Sequence, residues 1–158
     1  MAVAETVKQS LESAGVDYHL VAHPRSTTTR ETAASAEVPA DHIAKAVILH
    51  DDTGFLMAVI PGSNWIRIHK LQRELNRALE LAPEAEAERL FGDCRPGAMP
   101  CLGGAYGIET VVDQEIDSLA NVYFEAGDHE LLVRVSGDDF RKLLGGARRG
   151  FYSHPNED

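Results

Sequence analysis

The sequence is poor in cysteine, in aromatic residues and in positive charge, and it has no long apolar run. Two cysteines in 158 residues, Cys94 and Cys101, are too few for a disulfide framework, and cytosolic thiols usually stay reduced. Their spacing fits no zinc pattern and no histidine lies in the segment that holds them, so no metal site is expected. Nothing approaches the ~20 apolar residues that cross a bilayer. The opening "MAVAETVKQSLESAG" lacks the basic start and apolar core of a signal peptide. A cytoplasmic protein with no membrane partner is the expectation. Lys and Arg total 15 against 25 Asp and Glu, for a formal charge of -10. That balance argues against wrapping a DNA duplex, which needs a large basic surface. It leaves room for gripping a few phosphates at one local patch.

What is present is the composition of a folded domain, 44% hydrophobic and 25% charged, in a chain of single-domain length. No linker, repeat or low-complexity tract divides residues 1–158, and one domain is expected. Val3, Val7, Leu11 and Ala14 have helical spacing, ended by Gly15. "DYHLVAH" alternates as a short strand, and a threonine of "RSTTTRET" can cap the helix "RETAASAEV". "HIAKAVILHD" and "FLMAVI" flank the turn "DDTG" as a hairpin. "NWIRIHKLQRELNRAL" starts as a strand and turns helical, with Leu71, Leu75 and Leu79 on one face. "PEAEAERLFG" reads as a helix with Pro83 in its first turn. "IETVVD" is a strand, "QEIDSLANV" a short helical stretch, "VYFEAGDHELLVRVS" a second hairpin, and "GDDFRKLLG" a closing helix. Hairpins interleaved with helices give an α+β fold with a mixed, largely antiparallel sheet.

Between these elements lies "FGDCRPGAMPCLGGAYG", with five glycines, two prolines and both cysteines. It has no lysine and no phosphate-loop pattern, and "GGAYG" is not a dinucleotide fingerprint. A nucleophile elbow is absent, and a catalytic cysteine would need a base that the sequence does not place. What remains is a stiff loop, poor in side chains, whose backbone N–H groups can approach a ligand closely.

Two further residues stand out. Lys45 interrupts an apolar strand, opposite Ala44 and Ala46 and on the side of Ile43 and Val47. Its ammonium either faces the interior, where it needs a partner or a cavity, or guards an exposed edge against strand pairing. His129 follows a Gly-Asp turn, where a histidine is ordinarily just exposed; His23, His69 and His154 offer no stronger pattern. Basic residues gather at Arg67, His69, Lys70 and Arg73 and again at Arg148 and Arg149, each readable as a solvated face.

Three blocks in this order, "HPRSTTTRETAASAEVPADHIAKAVIL", "DCRPGAMPCLGGAYGIETVVD" and "VYFEAGDHELLVRVSGDDFRKLL", resemble the YbaK-type aminoacyl-tRNA deacylases, a family that also supplies the editing domain of bacterial prolyl-tRNA synthetases. The resemblance covers nearly the whole chain. It implies ester hydrolysis on mischarged aminoacyl-tRNA, with no cofactor and no metal. Lys45 matches the family lysine and is the implied catalytic residue. Gly97, Ala98, Met99, Pro100, Cys101 and Gly103 fall in the loop that shapes the aminoacyl pocket, and Thr28 is counted with them as a substrate contact. Cys101 stands four residues after Gly97, where the family motif G-x-x-x-P has proline. His129 matches a histidine that limits substrate size in some members. An aminoacyl ester is already activated, so placing a water and stabilising the oxyanion suffices, and the resemblance implies help from the tRNA ribose hydroxyl. Arg25, Arg30, Arg67 and Lys70 are the candidates for phosphate contacts at the acceptor end, and an aminoacyl-tRNA synthetase is a candidate partner. The alternative is a binding module that holds aminoacyl-tRNA or an amino acid beside a synthetase without turnover.

Overall fold

The computed structural model of the chain describes residues 2–26 and 28–155; Thr27 of the Ser/Thr cluster lies outside them. Helix α1 (Glu5–Ala14) buries Val7 and Leu11, and Gly15 ends it in the left-handed conformation with φ of 65°, which glycine adopts without steric cost. Strand β1 (His19–Ala22) leads to helix α2 (Thr29–Ala36), capped by the Thr28 hydroxyl, which accepts from the Glu31 N–H. Strands β2 (Ala44–Asp51) and β3 (Gly54–Pro61) form the first hairpin, antiparallel along their full length. Strand β4 (Asn64–Ile66) and helix α3 (Ile68–Leu75) follow. Asn76 stops α3 in a left-handed cap, so Leu79 lies beyond the helix expected to contain it, although it is buried in the same cluster as Leu71.

Strand β5 (Glu80–Leu81) precedes helix α4 (Glu84–Arg89), where Pro83 is the cap residue rather than part of the first turn. After the Gly/Pro segment come β6 (Glu109–Asp113), α5 (Gln114–Asp117), β7 (Asn121–Glu125), β8 (Leu131–Ser136) and α6 (Gly137–Leu143). Three strands escape the sequence reading, β5 and, near the C-terminus, β9 (Arg148–Gly150) and β10 (Ser153–Pro155). His154 lies in β10 and pairs across from Trp65.

The larger sheet has the order β5-β2-β3-β6-β9, with β3–β6 and β6–β9 parallel. A second, antiparallel sheet has the order β1-β8-β7. The architecture is thus α+β with mixed sheets. Central β3 alternates between two cores, as a strand buried on both faces must. Met57 and Val59 join Val7, Leu11, Ile116, Phe124, Val133 and Phe140 on one side. Leu56 and Ala58 meet Leu71, Leu79 and Tyr152 on the other.

One contact between the sheets positions the site. Ile43, just before β2, forms a parallel bridge with Tyr123 of β7. Two residues further along each strand, on the same side by strand alternation, lie Lys45 and Glu125.

Candidate functional site

Lys45, Glu125 and His129 line a cavity of about 90 Å³ together with Thr28, Thr29, Thr32, Gly97 and Met99. Lys45 is half-buried, and its Nζ has one long hydrogen bond, donated at 3.5 Å to the carbonyl of Gly62. Among the described residues no carboxylate lies within ion-pairing distance of it. Burial lowers its pKa below the usual lysine value, because a desolvated ammonium is disfavoured. Gly62 is held close: a Cβ there would meet Thr29 Cγ2 at 2.6 Å and the Ala40 carbonyl at 2.8 Å. The lysine thus faces a cavity, not a sheet edge.

The Gly/Pro segment is fastened to the β7–β8 turn. The Arg95 N–H donates to the Gly127 carbonyl at 2.8 Å. His129 Nε2 sits 2.6 Å from the Pro96 carbonyl; a carbonyl only accepts, so Nε2 carries the hydrogen. His129 is itself in the left-handed region, φ 65°, and is 6% exposed, so it is buried at the turn rather than facing solvent. Gly97 has φ 80°, and a Cβ on it would press against His129 Nε2 at 3.3 Å. Glycine is required there both by backbone conformation and by this approach.

The six loop residues proposed as pocket wall divide. Gly97 and Met99 reach the cavity. Ala98 and Cys101 are fully buried, and Cys101 and Leu102 belong to the main core cluster. Pro100 is also buried. Gly103 sits in a 3-10 turn against Thr110 and Met57, where a Cβ would run into the Thr110 hydroxyl. These four support the wall from behind rather than lining it. The Ala98 N–H donates to the Arg95 carbonyl, so it is not a free donor for an oxyanion. Both cysteines are free thiols. Burial pushes the Cys94 thiol up to about 12 and raises Cys101 as well. Neither is an activated nucleophile.

Thr28 lies at the cavity, and Arg25 and Arg30 are exposed on either side of it in sequence. Arg67 and Lys70 are elsewhere, tying the C-terminal segment. Arg67 Nε donates to the Ser153 carbonyl at 3.0 Å and Lys70 Nζ to the Phe151 carbonyl at 2.6 Å. Arg149 and Arg148 pair with Asp117 and Glu74. Sequence reasoning missed Glu125, which reads as a polar residue leading into a turn; β7 buries Val122 and Phe124 on one face and turns Glu125 to the other. Its Oε2 is buried with no hydrogen-bond partner. Burial, with the nearby Asp128 charge second, pushes its carboxyl up to about 7. Asp128 stays ionised, accepting from the N–H groups of Ala2, Glu130 and Leu131. Among the described residues no cluster of three or more His, Cys, Asp or Glu is placed to hold a metal ion. Among them, too, no helix is long and apolar enough to cross a membrane.

The model of the aminoacyl-tRNA editing domain family matches residues 23–143, a span that contains every residue lining the cavity. The chain belongs to this family. Its aminoacyl-tRNA editing fold recurs in solved structures. A hypothetical protein, APE2540, is 26% identical, with a TM-score of 0.84 over 95% of this chain and 100% of that one. A candidate trans-editing enzyme for prolyl-tRNA synthetase is 23% identical, with a TM-score of 0.82 and 96% of both chains covered. A candidate signal transduction protein from Marinobacter aquaeolei VT8 is 25% identical with a TM-score of 0.76; the alignment covers 94% of this chain but only 30% of that longer one. No curated protein matches the chain at a significant level.

Proposed function

We propose that residues 1–158 act as one editing domain that hydrolyses, in trans and without a metal, the ester of tRNA mischarged with a small amino acid. The observation that carries this reading is Lys45, a cation with no carboxylate partner, in a cavity of about 90 Å³ between Gly97, His129 and the threonines of α2. A half-buried ammonium without a counter-ion is a costly arrangement for a fold to keep, and a ligand oxygen that becomes negative during reaction is the complement it lacks.

In this reading the acyl group enters the cavity and its carbonyl oxygen meets Lys45 Nζ. Water adds to the carbonyl carbon while Lys45 stabilises the oxyanion. The bond to the terminal ribose oxygen then breaks, and that oxygen leaves as a hydroxyl, taking the proton that the added water gives up, while the carboxylate of the free amino acid is released. A neighbouring ribose hydroxyl assists in orienting the water. His129 and Gly97 limit the space, since a cavity of this size holds only a few waters and rejects added bulk far better than missing bulk. Arg25 and Arg30, exposed beside Thr28, are the phosphate contacts favoured by position over Arg67 and Lys70. The protein works in the cytoplasm, alone or beside a synthetase.

The test is a panel of tRNAs charged with glycine, alanine, serine, leucine and phenylalanine. Wild type is expected to release the small amino acids and spare the large ones. Lys45→Ala should lower the rate about 10²–10³-fold. Absence of turnover on every ester, with acceptor-end analogues still bound, would replace the deacylase by the binding module.

A further inference from the structure

The parallel bridge between Ile43 and Tyr123 brings two opposite, unmatched groups to one small cavity. Lys45 has no carboxylate partner and Glu125 has a buried Oε2 with no hydrogen-bond partner. No ion pair joins them among the described residues, although both line the same 90 Å³. A buried polar atom left without a partner is destabilising, and two unmatched groups across one void need a ligand that carries both complements.

Resting on the deacylase reading, we infer that Glu125 is the specificity residue that receives the α-ammonium of the aminoacyl ester, while Lys45 receives its carbonyl oxygen. The two atoms are only three bonds apart in an α-amino acid ester, which suits so small a space. The α-ammonium would otherwise enter a cavity that already holds one cation; Glu125 offsets that repulsion. Asp128 is close enough to act on Glu125 by charge but is taken up by three backbone N–H groups, so it does not compete for the ligand. His129 is engaged through Nε2 with the Pro96 carbonyl, which leaves Glu125 as the acid facing the cavity. Its carboxyl is near the point of ionising at neutral pH, so an arriving ammonium completes the ionisation at small cost. The editing site then reads the amino group as well as the size of the side chain, and rejects α-hydroxy acyl esters of the same shape.

The experiment compares alanyl-tRNA with lactyl-tRNA, in which nitrous acid has replaced the amino group by a hydroxyl, and glycyl-tRNA with glycolyl-tRNA. Each kcat/KM is divided by the spontaneous hydrolysis rate of its own ester. Wild type should favour the amino ester by about 10–100-fold, the worth of one hydrogen bond to a charged group. Glu125→Gln should bring that ratio to within about threefold of unity by slowing the amino ester alone, with the hydroxy ester as internal control for folding. An equal loss on both esters, or an unchanged ratio, overturns the assignment while the deacylase reading stands. Wild type cleaving no ester at all overturns both.

Discussion

Strand β2 carries a charge near each end, and the two are treated in opposite ways. At its C-terminal end Asp51 is saturated. Arg77 donates to both its oxygens, at 2.8 and 2.7 Å, and the Thr53 N–H and hydroxyl add two more bonds. Arg77 also reaches Glu109 at 2.9 Å. The Arg77 guanidinium, with Thr53 second, holds the Asp51 carboxyl well below the usual carboxylate range. At the N-terminal end Lys45 has one bond of 3.5 Å and no acid. A fork of arginine on carboxylate closes the hairpin and ties it to the α3–β5 link. The lysine contributes nothing of that kind to the fold. One strand thus separates a charge that stabilises structure from a charge kept for a ligand.

The sharpest way to break this contrast is to remove each charge in turn. Lys45→Met keeps the length of the stem and removes the ammonium. Deacylation should fall about 10²–10³-fold while the melting temperature stays level or rises, because a desolvated cation is gone. A drop in stability would place Lys45 with Asp51 as a structural charge. Gly97→Ala should lower activity about tenfold or more by shifting His129 and narrowing the cavity, and cost about 1 kcal/mol for the forced backbone at φ 80°; single-turnover rates and denaturant titration read the two effects separately. Arg77→Ala is the mirror of the lysine change. Activity per folded molecule should stay within about twofold, with the melting temperature lower by about 5 °C.

That stabilisation also has a pH signature. A depressed Asp51 pKa contributes above its ordinary value of 3.8 and is lost on acidification below it, so Arg77→Ala and wild type should converge in acid. Glu125 behaves oppositely. Raised from 4.5 to about 7 by burial and by Asp128, it keeps in the folded state a proton that the unfolded chain releases between those values. Its contribution is full below pH 4.5 and is lost as pH rises through 7. Glu125→Gln has no proton to lose, so it should melt higher than wild type at pH 8 and equally at pH 4.5. Lys45 and His129 across the cavity and Asp128 beside the turn remain as the charged and titratable neighbours. Thermal melts across that range read the difference.

Much of this was legible in the sequence, element by element. The Thr28 cap, the Gly15 stop, the "DDTG" hairpin and the acidic start of the last helix at Asp138 and Asp139 are local signals, written within a few residues of where they act. Leu79 misled because its helical spacing continues past Asn76, whose left-handed cap ends α3. Strands β5, β9 and β10 were invisible because two or three residues carry too little alternation to register; partners elsewhere in the chain define them. Cys101 drew interest as a departure from a motif, yet it faces the core. Spacing along a loop does not say which way a side chain points.

Neighbours along the chain are enough to set the hairpins, the stop of α1 at Gly15, the stiff Gly/Pro segment and the lysine within an apolar strand. Tertiary packing alone makes β3 and β6 parallel, brings Gly97 against His129 and sets Lys45 and Glu125 on one cavity. Those outcomes are long-range, set by the bridge from Ile43 to Tyr123 and by the loop's hydrogen bonds to the β7–β8 turn. A pattern of period two tells a strand which face to bury; which distant strand it meets is set by the packing of the whole core.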